Sequence, residues 1–565
     1  MRTDTTPRTP AEAEPADQPD GAAAQAGPGR RSRAAALVTT GLAALLVLAA
    51  LTAPDRLGGL DASGFVRIPA EALLTAALLL ALPWRAGRVV AASAGAALGL
   101  LAVLKLLDMG FFEARDRPFD LMQDWTMLDD GLSFLADSVG SAGAWAVAVA
   151  AVLLTAGLVV ATARSVLRLG RSARRHRTAT TRVVAGLTVV WTLCALLGVR
   201  TAPGGPVADA SASALVADHV AQVRAGLRDR DTFAARIGVD AFADTPGDRL
   251  LGGLRGKDVV VSFVESYGRV AVEDPAISPG VNRVLDDGTR RLRAAGFAAR
   301  SAYLTSPTAG GGSWLAHATL LSGLRVDNEQ RHRDLLASDR LTLNGAFRRA
   351  GWQTVGVLPA ATQPWPEARF YTYDRYYDAA RLAYRGPKFS YAPMPDQYTL
   401  ATFQRLERGR PGHAPLMAEI PLVSSHTPWA PLPEVVGWDR AGDGGAYAGM
   451  PERGESPDEV WQDPARVRAA YGRSIQYSVG ALVSWLERYG DDELVLVFLG
   501  DHQPAPIVTG PGASRDVPVT VVARDPAVLD RIAGWGWQDG LRPGPDAPVW
   551  PMDSFRDRFL TAFAR

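Results

Sequence analysis

Four short stretches in the second half of the chain carry residue types that bind cations and attack electrophiles: "FVESYG" (263–268), "GGGSW" (310–314), "SSHTPW" (424–429) and "GDHQP" (500–504). Three of them follow apolar runs. "DVVVSFV" leads to Glu265, "MAEIPLV" to His426, and "LVLVFLG" to Asp501 and His502. Carboxylate and imidazole are hard or borderline ligands, and a deprotonated hydroxyl can complete their shell. A divalent ion held by Glu265, Asp501 and His502 would lower the pKa of the Ser313 hydroxyl and make it a nucleophile. The glycines at 310–312 would let backbone N–H groups approach an anion, and the start of the following helix would add partial positive charge. His426 suits a general acid or a phosphate contact. Together these groups suit transfer of a phosphoryl or sulfuryl group.

Each residue also has a plainer job. Glu265 alone is an ordinary strand-end residue, Ser313 a possible N-cap, and His426 a side chain that could bond a backbone carbonyl. Thr308 is the reserve hydroxyl. His317, one turn after Ser313, suits helix packing, and His413 in "RPGHAP" suits a solvated loop. Trp429 fits either a pocket wall or the core. Arg369 suits bidentate contact with an anion.

These groups need a frame that gathers strand ends. From residue 251 onward, short β-branched runs ("KDVVVSFVES", "WQTVGVLP", "DELVLVFLGDH", "VPVTVVAR") alternate with helical spacings ("GVNRVLDDGTRRLRAAG", "YGRSIQYSVGALVSWLERYG"). That alternation predicts an α/β domain over 251–565 with a mainly parallel central sheet covered on both faces. Ligands in such sheets bind beyond the carboxyl ends of the strands.

The first half reads differently. Residues 1–33 form an Ala/Pro/Gly/Asp-rich tail ending in "RRSR", without periodicity, expected to be disordered and cytoplasmic. Residues 34–200 hold five apolar runs: one directly after "RRSR", then others near 69–85, 88–107, 143–163 and 182–199. A run of about 20 apolar residues spans the hydrocarbon core. The basic segments "RRSR", "WRAGR" and "RSVLRLGRSARRHRTATTR" occupy alternate loops, which places those loops in the cytoplasm and the C-terminal domain outside the cell. Residues 201–250 read as a connector, with a helical pattern that suits either a helix along the membrane or a domain-packing helix. The single cysteine, Cys194, rules out an intrachain disulfide, and a net charge of +1 gives no global argument for nucleic acid.

The four motifs, in this order, resemble the alkaline phosphatase/sulfatase superfamily, and within it the lipoteichoic acid synthase type of membrane sulfatase-like proteins. "YRGPKFSYAPMPDQYTL" resembles an actinobacterial variant of that type. The resemblance implies a five-helix transmembrane domain and an extracellular sulfatase-like catalytic domain. It implies one divalent ion, often manganese, with magnesium or zinc as alternatives. Carried over, the ligands fall on Glu265, Ser313, Asp501 and His502, and the substrate-facing histidine on His426. Trp365 and Arg369 match the type's substrate-contacting Trp and Arg with altered spacing, and Trp429 joins them as a substrate-site candidate. The implied partners are a membrane lipid donor and an envelope glycan or polymer acceptor. The implied reaction is phosphotransfer or phosphodiester cleavage, of polyglycerol-phosphate kind, through a covalent enzyme intermediate.

Two features depart from the type. Ser replaces Thr at the nucleophile, and "LPAATQPWPEARFY" replaces a His-Gly-Asn segment that touches glycerol phosphate. The alternatives are a sulfuric ester hydrolase and a catalytically inert envelope-assembly protein. The C/S-x-P-x-R motif of formylglycine sulfatases is missing near Ser313, and an intact Glu/Ser/Asp/His set argues against inertness.

Overall fold

The computed structural model describes residues 30–60, 65–200, 205–363 and 365–564. The expected disordered tail lies almost wholly outside them. Six helices open the described chain: α1 (Arg30–Thr52), α2 (Ala70–Ala81), α3 (Trp84–Arg115), α4 (Trp125–Arg175), α5 (Arg177–Leu197) and α6 (Ser211–Ile237). Four of them, α1, α3, α4 and α5, contain stretches long and apolar enough to cross a membrane. The expected second span is shorter than its apolar run. Pro69 precedes α2 and Pro83 follows it, which leaves a helix of 12 residues. At 1.5 Å per residue that is about 18 Å, against about 30 Å of hydrocarbon.

The basic segments gather at one end of this helical layer. Arg168 of α4 donates to Ala36 O and Thr40 Oγ1 in α1, and Arg174 donates to Leu82 O at the α2–α3 turn. The opposite end meets the rest of the chain. Lys105 Nζ donates to the carbonyls of Ala50, Leu51 and Ala53, closing the C-terminus of α1. Asp108 of α3 pairs with His219 of α6 at 3.0 Å, both buried. Further along α6, Phe233 packs with Leu315 and Leu335 beneath the C-terminal domain, and Asp229 takes a bidentate contact from Arg331. The connector helix therefore packs against both layers.

The C-terminal domain is built on nine strands: β1 (Asp258–Val264), β2 (Ala298–Thr305), β3 (Gln353–Val357), β4 (Arg375–Tyr377), β5 (Leu416–Leu422), β6 (Leu494–Gly500), β7 (Asp516–Ala523), β8 (Gln538–Asp539) and β9 (Val549–Pro551). Their order is β8-β2-β7-β6-β1-β5-β3-β4, with β9 beside β2. The run β6-β1-β5-β3-β4 is parallel, and β7 lies antiparallel between β6 and β2. The mainly parallel sheet is as the strand–helix alternation implies.

Side chains of β1 alternate between two cores, as a period of two requires. Val260 and Val264 face helices α7 (Ser278–Ala294) and, later in the chain, the long Pro464–Tyr489 helix. Val259, Val261 and Phe263 face α8 (Ser313–Ser322), α9 (Leu343–Arg349) and the C-terminal Phe555–Ala562 helix. All seven β1 residues are buried. Strands this apolar on both faces belong in the middle of a covered parallel sheet.

Candidate active site and metal centre

The parallel strands β1, β5 and β6 all end at one edge, and each delivers a polar side chain within two residues of its end. Glu265 follows β1, Ser424–His426 follow β5, and Asp501–His502 follow β6. Ser313, the first residue of α8, arrives from the adjoining face. Gly500 lets β6 end here: a Cβ at that position would stand 1.9 Å from Tyr267 O, so the β1 and β6 turns could not approach with any side chain between them.

Glu265, Asp501 and His502 are buried and each offers a ligand atom within 4.8 Å of the others. His502 Nε2 stands 3.2 Å from Glu265 Oε1 and 3.7 Å from Asp501 Oδ2. The Ser313 hydroxyl donates to Glu265 Oε2 at 2.9 Å and lies 3.3 Å from His502 Nε2. The other ring nitrogen, Nδ1 of His502, faces Gln503 O at 2.8 Å. A carbonyl only accepts, so Nδ1 carries the proton and Nε2 is the nitrogen turned to the site.

Serines around this group hold it in place. Ser266 adopts a left-handed backbone (φ 57). Its N–H donates to Asp501 Oδ1 at 2.8 Å, and its hydroxyl donates to Glu265 Oε1 at 3.1 Å. Ser425 Oγ donates to Glu265 O, and Ser306 Oγ to Asp501 O, each at 2.6 Å. The sequence marks none of the three for this role: Ser266 and Ser425 adjoin Glu265 and His426, where a hydroxyl is a common neighbour, and Ser306, in "TSPTAG", adjoins no candidate ligand.

The electrostatics are those of two carboxylates confined with one imidazole. Burial, then the charge of Glu265, push Asp501 up to about 6. Burial alone would lower His502, but Asp501 and Glu265 push it up to about 9. Burial alone would raise Glu265, yet His502, with His426 nearby, holds it below the usual carboxylate range. Two buried carboxylates sharing one imidazole attract positive charge. Two carboxylates, an imidazole turned inward by Nε2 and a hydroxyl fit a divalent cation, and the second contact that fixes the imidazole is of the kind metal-ligating histidines make.

His426 stands at the rim. Its ring stacks on Tyr391 at 3.7 Å, and Nδ1 faces Thr427 O at 2.6 Å, so Nε2 is the nitrogen free to exchange a proton. Asp396 steadies its loop: Oδ1 accepts from Val423 N and Ser424 N at 2.8 and 2.9 Å, and Oδ2 accepts from Ser478 Oγ at 2.6 Å.

The remaining candidates are placed apart from this group. Thr308 donates to Gly311 O at 2.7 Å and so shapes the glycine loop. Trp429 is 2% exposed, stacks on Trp461 and donates from Nε1 to Ser425 O; its ring sits in the core. Trp365 stacks on Tyr371 at 5.5 Å, and Arg369 lines a separate cavity of about 880 Å³ with Arg333, Arg340, Arg348 and Arg349. His317 stacks on Phe263 at 3.8 Å with Nδ1 3.3 Å from Glu419, a packing role. His413 is not simply solvated: Asp258, at the far end of β1, draws its Nε2 to 2.9 Å.

No family model and no curated protein matches the chain. Solved structures do. The lipoteichoic acid synthase LtaP from Listeria monocytogenes is 12% identical, with 60% of this chain and 78% of that one covered and a TM-score of 0.39. A protein in the alkaline phosphatase superfamily from Vibrio parahaemolyticus is 14% identical, with 52% and 68% covered and a TM-score of 0.32. The Streptococcus pyogenes phosphoglycerol transferase GacH, in complex with sn-glycerol-1-phosphate, is 13% identical, with 59% and 90% covered and a TM-score of 0.34.

Proposed function

We propose that this chain is a membrane-anchored phosphotransferase or phosphodiesterase of the alkaline phosphatase/sulfatase superfamily, with its catalytic domain outside the cell. Its substrates are envelope lipids or polymers, and Ser313 is its nucleophile. The observation that carries the reading is the place of the Ser313 hydroxyl, at the start of α8 between Glu265 Oε2 and His502 Nε2. A hydroxyl serving only as an N-cap would bond the helix's own N–H groups; this one donates to a buried carboxylate.

Glu265, Asp501, His502 and the Ser313 hydroxyl would hold the divalent ion, manganese by family resemblance. When bound, it supplies positive charge that favours the alkoxide form of Ser313 and offsets charge on the transferring group. The protein's own groups account for the rest. Ser313 loses its proton along the hydrogen bond to Glu265 as Oγ bonds phosphorus. The ester bond on the opposite side of phosphorus breaks, and the leaving oxygen takes a proton from Nε2 of protonated His426. In the second half, neutral His426 takes a proton from an incoming hydroxyl, which displaces Ser313 as Glu265 returns the proton to Ser313 Oγ along the same hydrogen bond. That hydroxyl is a polymer end in the transferase form and water in the phosphodiesterase form.

The test is Ser313→Ala in the full chain, assayed with headgroup-labelled phosphatidylglycerol and manganese. The parent is expected to carry the label on Ser313 by peptide mass spectrometry, and the variant to carry none. Unchanged turnover in the variant would remove Ser313 as nucleophile, and absence of turnover in the parent would remove this donor.

A further inference from the structure

The loops beside both reactive segments touch the end of a membrane helix. α3 has 32 residues, about 48 Å of helix against about 30 Å of hydrocarbon. Its last turns therefore project into the C-terminal domain. There a Cβ on Gly310 would stand 1.8 Å from Ala114 O, so the glycine is needed for this approach. The Arg115 guanidinium lies along the next two glycines. A Cβ on Gly311 would be 3.5 Å from its Cζ, and one on Gly312 would be 2.9 Å from its Nη1. The residue after Gly312 is Ser313. Beyond Arg115 the chain turns at Asp116, in a left-handed conformation, and Asp116 Oδ2 accepts from Gly512 N at 2.8 Å. Gly512 lies ten residues past His502, beyond the short Pro506–Thr509 helix, in the turn that leads into β7.

A second arginine reaches the same loop from the other domain. Arg515 Nη1 donates to Pro307 O at 3.0 Å, while Ser306 N donates to Arg515 O at 2.9 Å. Burial lowers the Arg515 guanidinium, and Arg325 lowers it further, with Asp327 and Asp116 offsetting part of this. Residues 306–312 thus run between two guanidinium groups, one from each layer of the molecule. Concentrated positive charge beside a nucleophile suits an anionic substrate.

We propose that the membrane layer contributes a residue to the catalytic site: Arg115 holds the non-bridging oxygens of the donor phosphodiester while Ser313 attacks it. This rests on the reading of Ser313 as nucleophile. The donor class is a glycerophospholipid headgroup, a phosphodiester monoanion that a guanidinium fork can bind. In the step, the Ser313 Oγ–P bond forms and the P–O bond to the diacylglycerol breaks. The Ser proton leaves through Glu265, and the diacylglycerol oxygen is protonated by His426. Arg115 keeps its proton throughout. The monoanionic diester gains one negative charge on its equatorial oxygens in the transition state, and the planar guanidinium fork matches two of them.

The test uses the full chain in lipid nanodiscs, with Arg115→Ala and Arg115→Lys. Label transfer from phosphatidylglycerol to Ser313 is expected to slow by about 100-fold in Arg115→Ala, the usual loss for one oxyanion contact, with part recovered by Lys. Manganese content and melting temperature should not change. A binding arm uses glycerol phosphate on the Ser313→Ala background, where adding Arg115→Ala should weaken affinity at least about 10-fold, as loss of a charged hydrogen bond implies. If the parent forms no Ser313 adduct but Arg115→Ala still weakens glycerol phosphate binding, the nucleophile assignment falls and the anion contact stands. If Arg115→Ala labels Ser313 at the parental rate, or loses activity only in step with melting temperature, the contact is overturned.

Discussion

Glu265 and Asp501 stand in one buried pocket with a single imidazole between them, and each is held by hydrogen bonds that keep its oxygens turned inward. Removing one carboxylate charge would take away one of the proposed metal ligands. Glu265→Gln should lower divalent-ion affinity by more than about 10-fold, the loss already seen when outer contacts are cut; calorimetric titration of the metal-stripped protein checks this. A second residue gives a pH signature away from the site. Burial, then Arg333, lower His332 to about 4, and its Nε2 is buried without a partner. The folded protein keeps His332 neutral while the unfolded chain takes up a proton below about 6.5, so this group costs stability progressively as pH falls from about 6.5 to 4. The melting temperature of His332→Phe relative to the parent should therefore rise across that window, and a constant difference would refute the assignment.

Strand ends position the chemistry, so the turns that finish them are the sensitive elements. Gly500→Ala would force the β6 end away from Tyr267 O, 1.9 Å from the added carbon. Such overpacking costs about 1–3 kcal/mol, and urea unfolding of the variant should show it together with weaker metal binding. Asp396→Ala would leave the N–H groups of Val423 and Ser424 without their buried acceptor, at about 1–3 kcal/mol. Activity in that variant should fall more than metal content, because the loop carries His426 and neither Glu265 nor Asp501. The apolar runs announced β1, β5 and β6, because strands covered on both faces leave an unbroken pattern in sequence. Short edge strands such as β8 and β9 leave no such pattern, and α2 was overestimated because the apolar run around it continues past the two prolines that bound its helix.

Across the whole molecule, the connector ties the layers together through buried charge. Asp240 pairs with Arg556 and Arg340, all three nearly or fully buried. Asp240→Ala would leave two buried guanidinium groups short of their counter-charge, and the full chain should lose roughly 3–5 kcal/mol, read as earlier release of the C-terminal helix in hydrogen exchange. The proposed orientation has its own test. In a Cys194→Ser background, Asp458→Cys places a thiol on an exposed stretch of the C-terminal domain, and a membrane-impermeant maleimide should label it in intact cells. Protection until lysis would reverse the topology.

The sequence by itself determined the apolar first half, the alternating α/β second half and the residue types gathered at its strand ends. Those follow from local patterning: apolar runs, periodicity and the chemistry of Glu, Asp, His and Ser are written in neighbouring residues. Tertiary structure decided which candidates share a site. Trp429 belongs to the core because the loop after β5 turns its ring inward onto Trp461 and Tyr471. Ser266, Ser306 and Ser425 became supports only once two turns were brought together. Arg115 lies far from Ser313 in sequence, and the length of α3 with the bareness of three glycines is what brings its guanidinium to the loop before Ser313. Contacts between residues remote in the chain depend on how whole elements pack, and no local pattern records that.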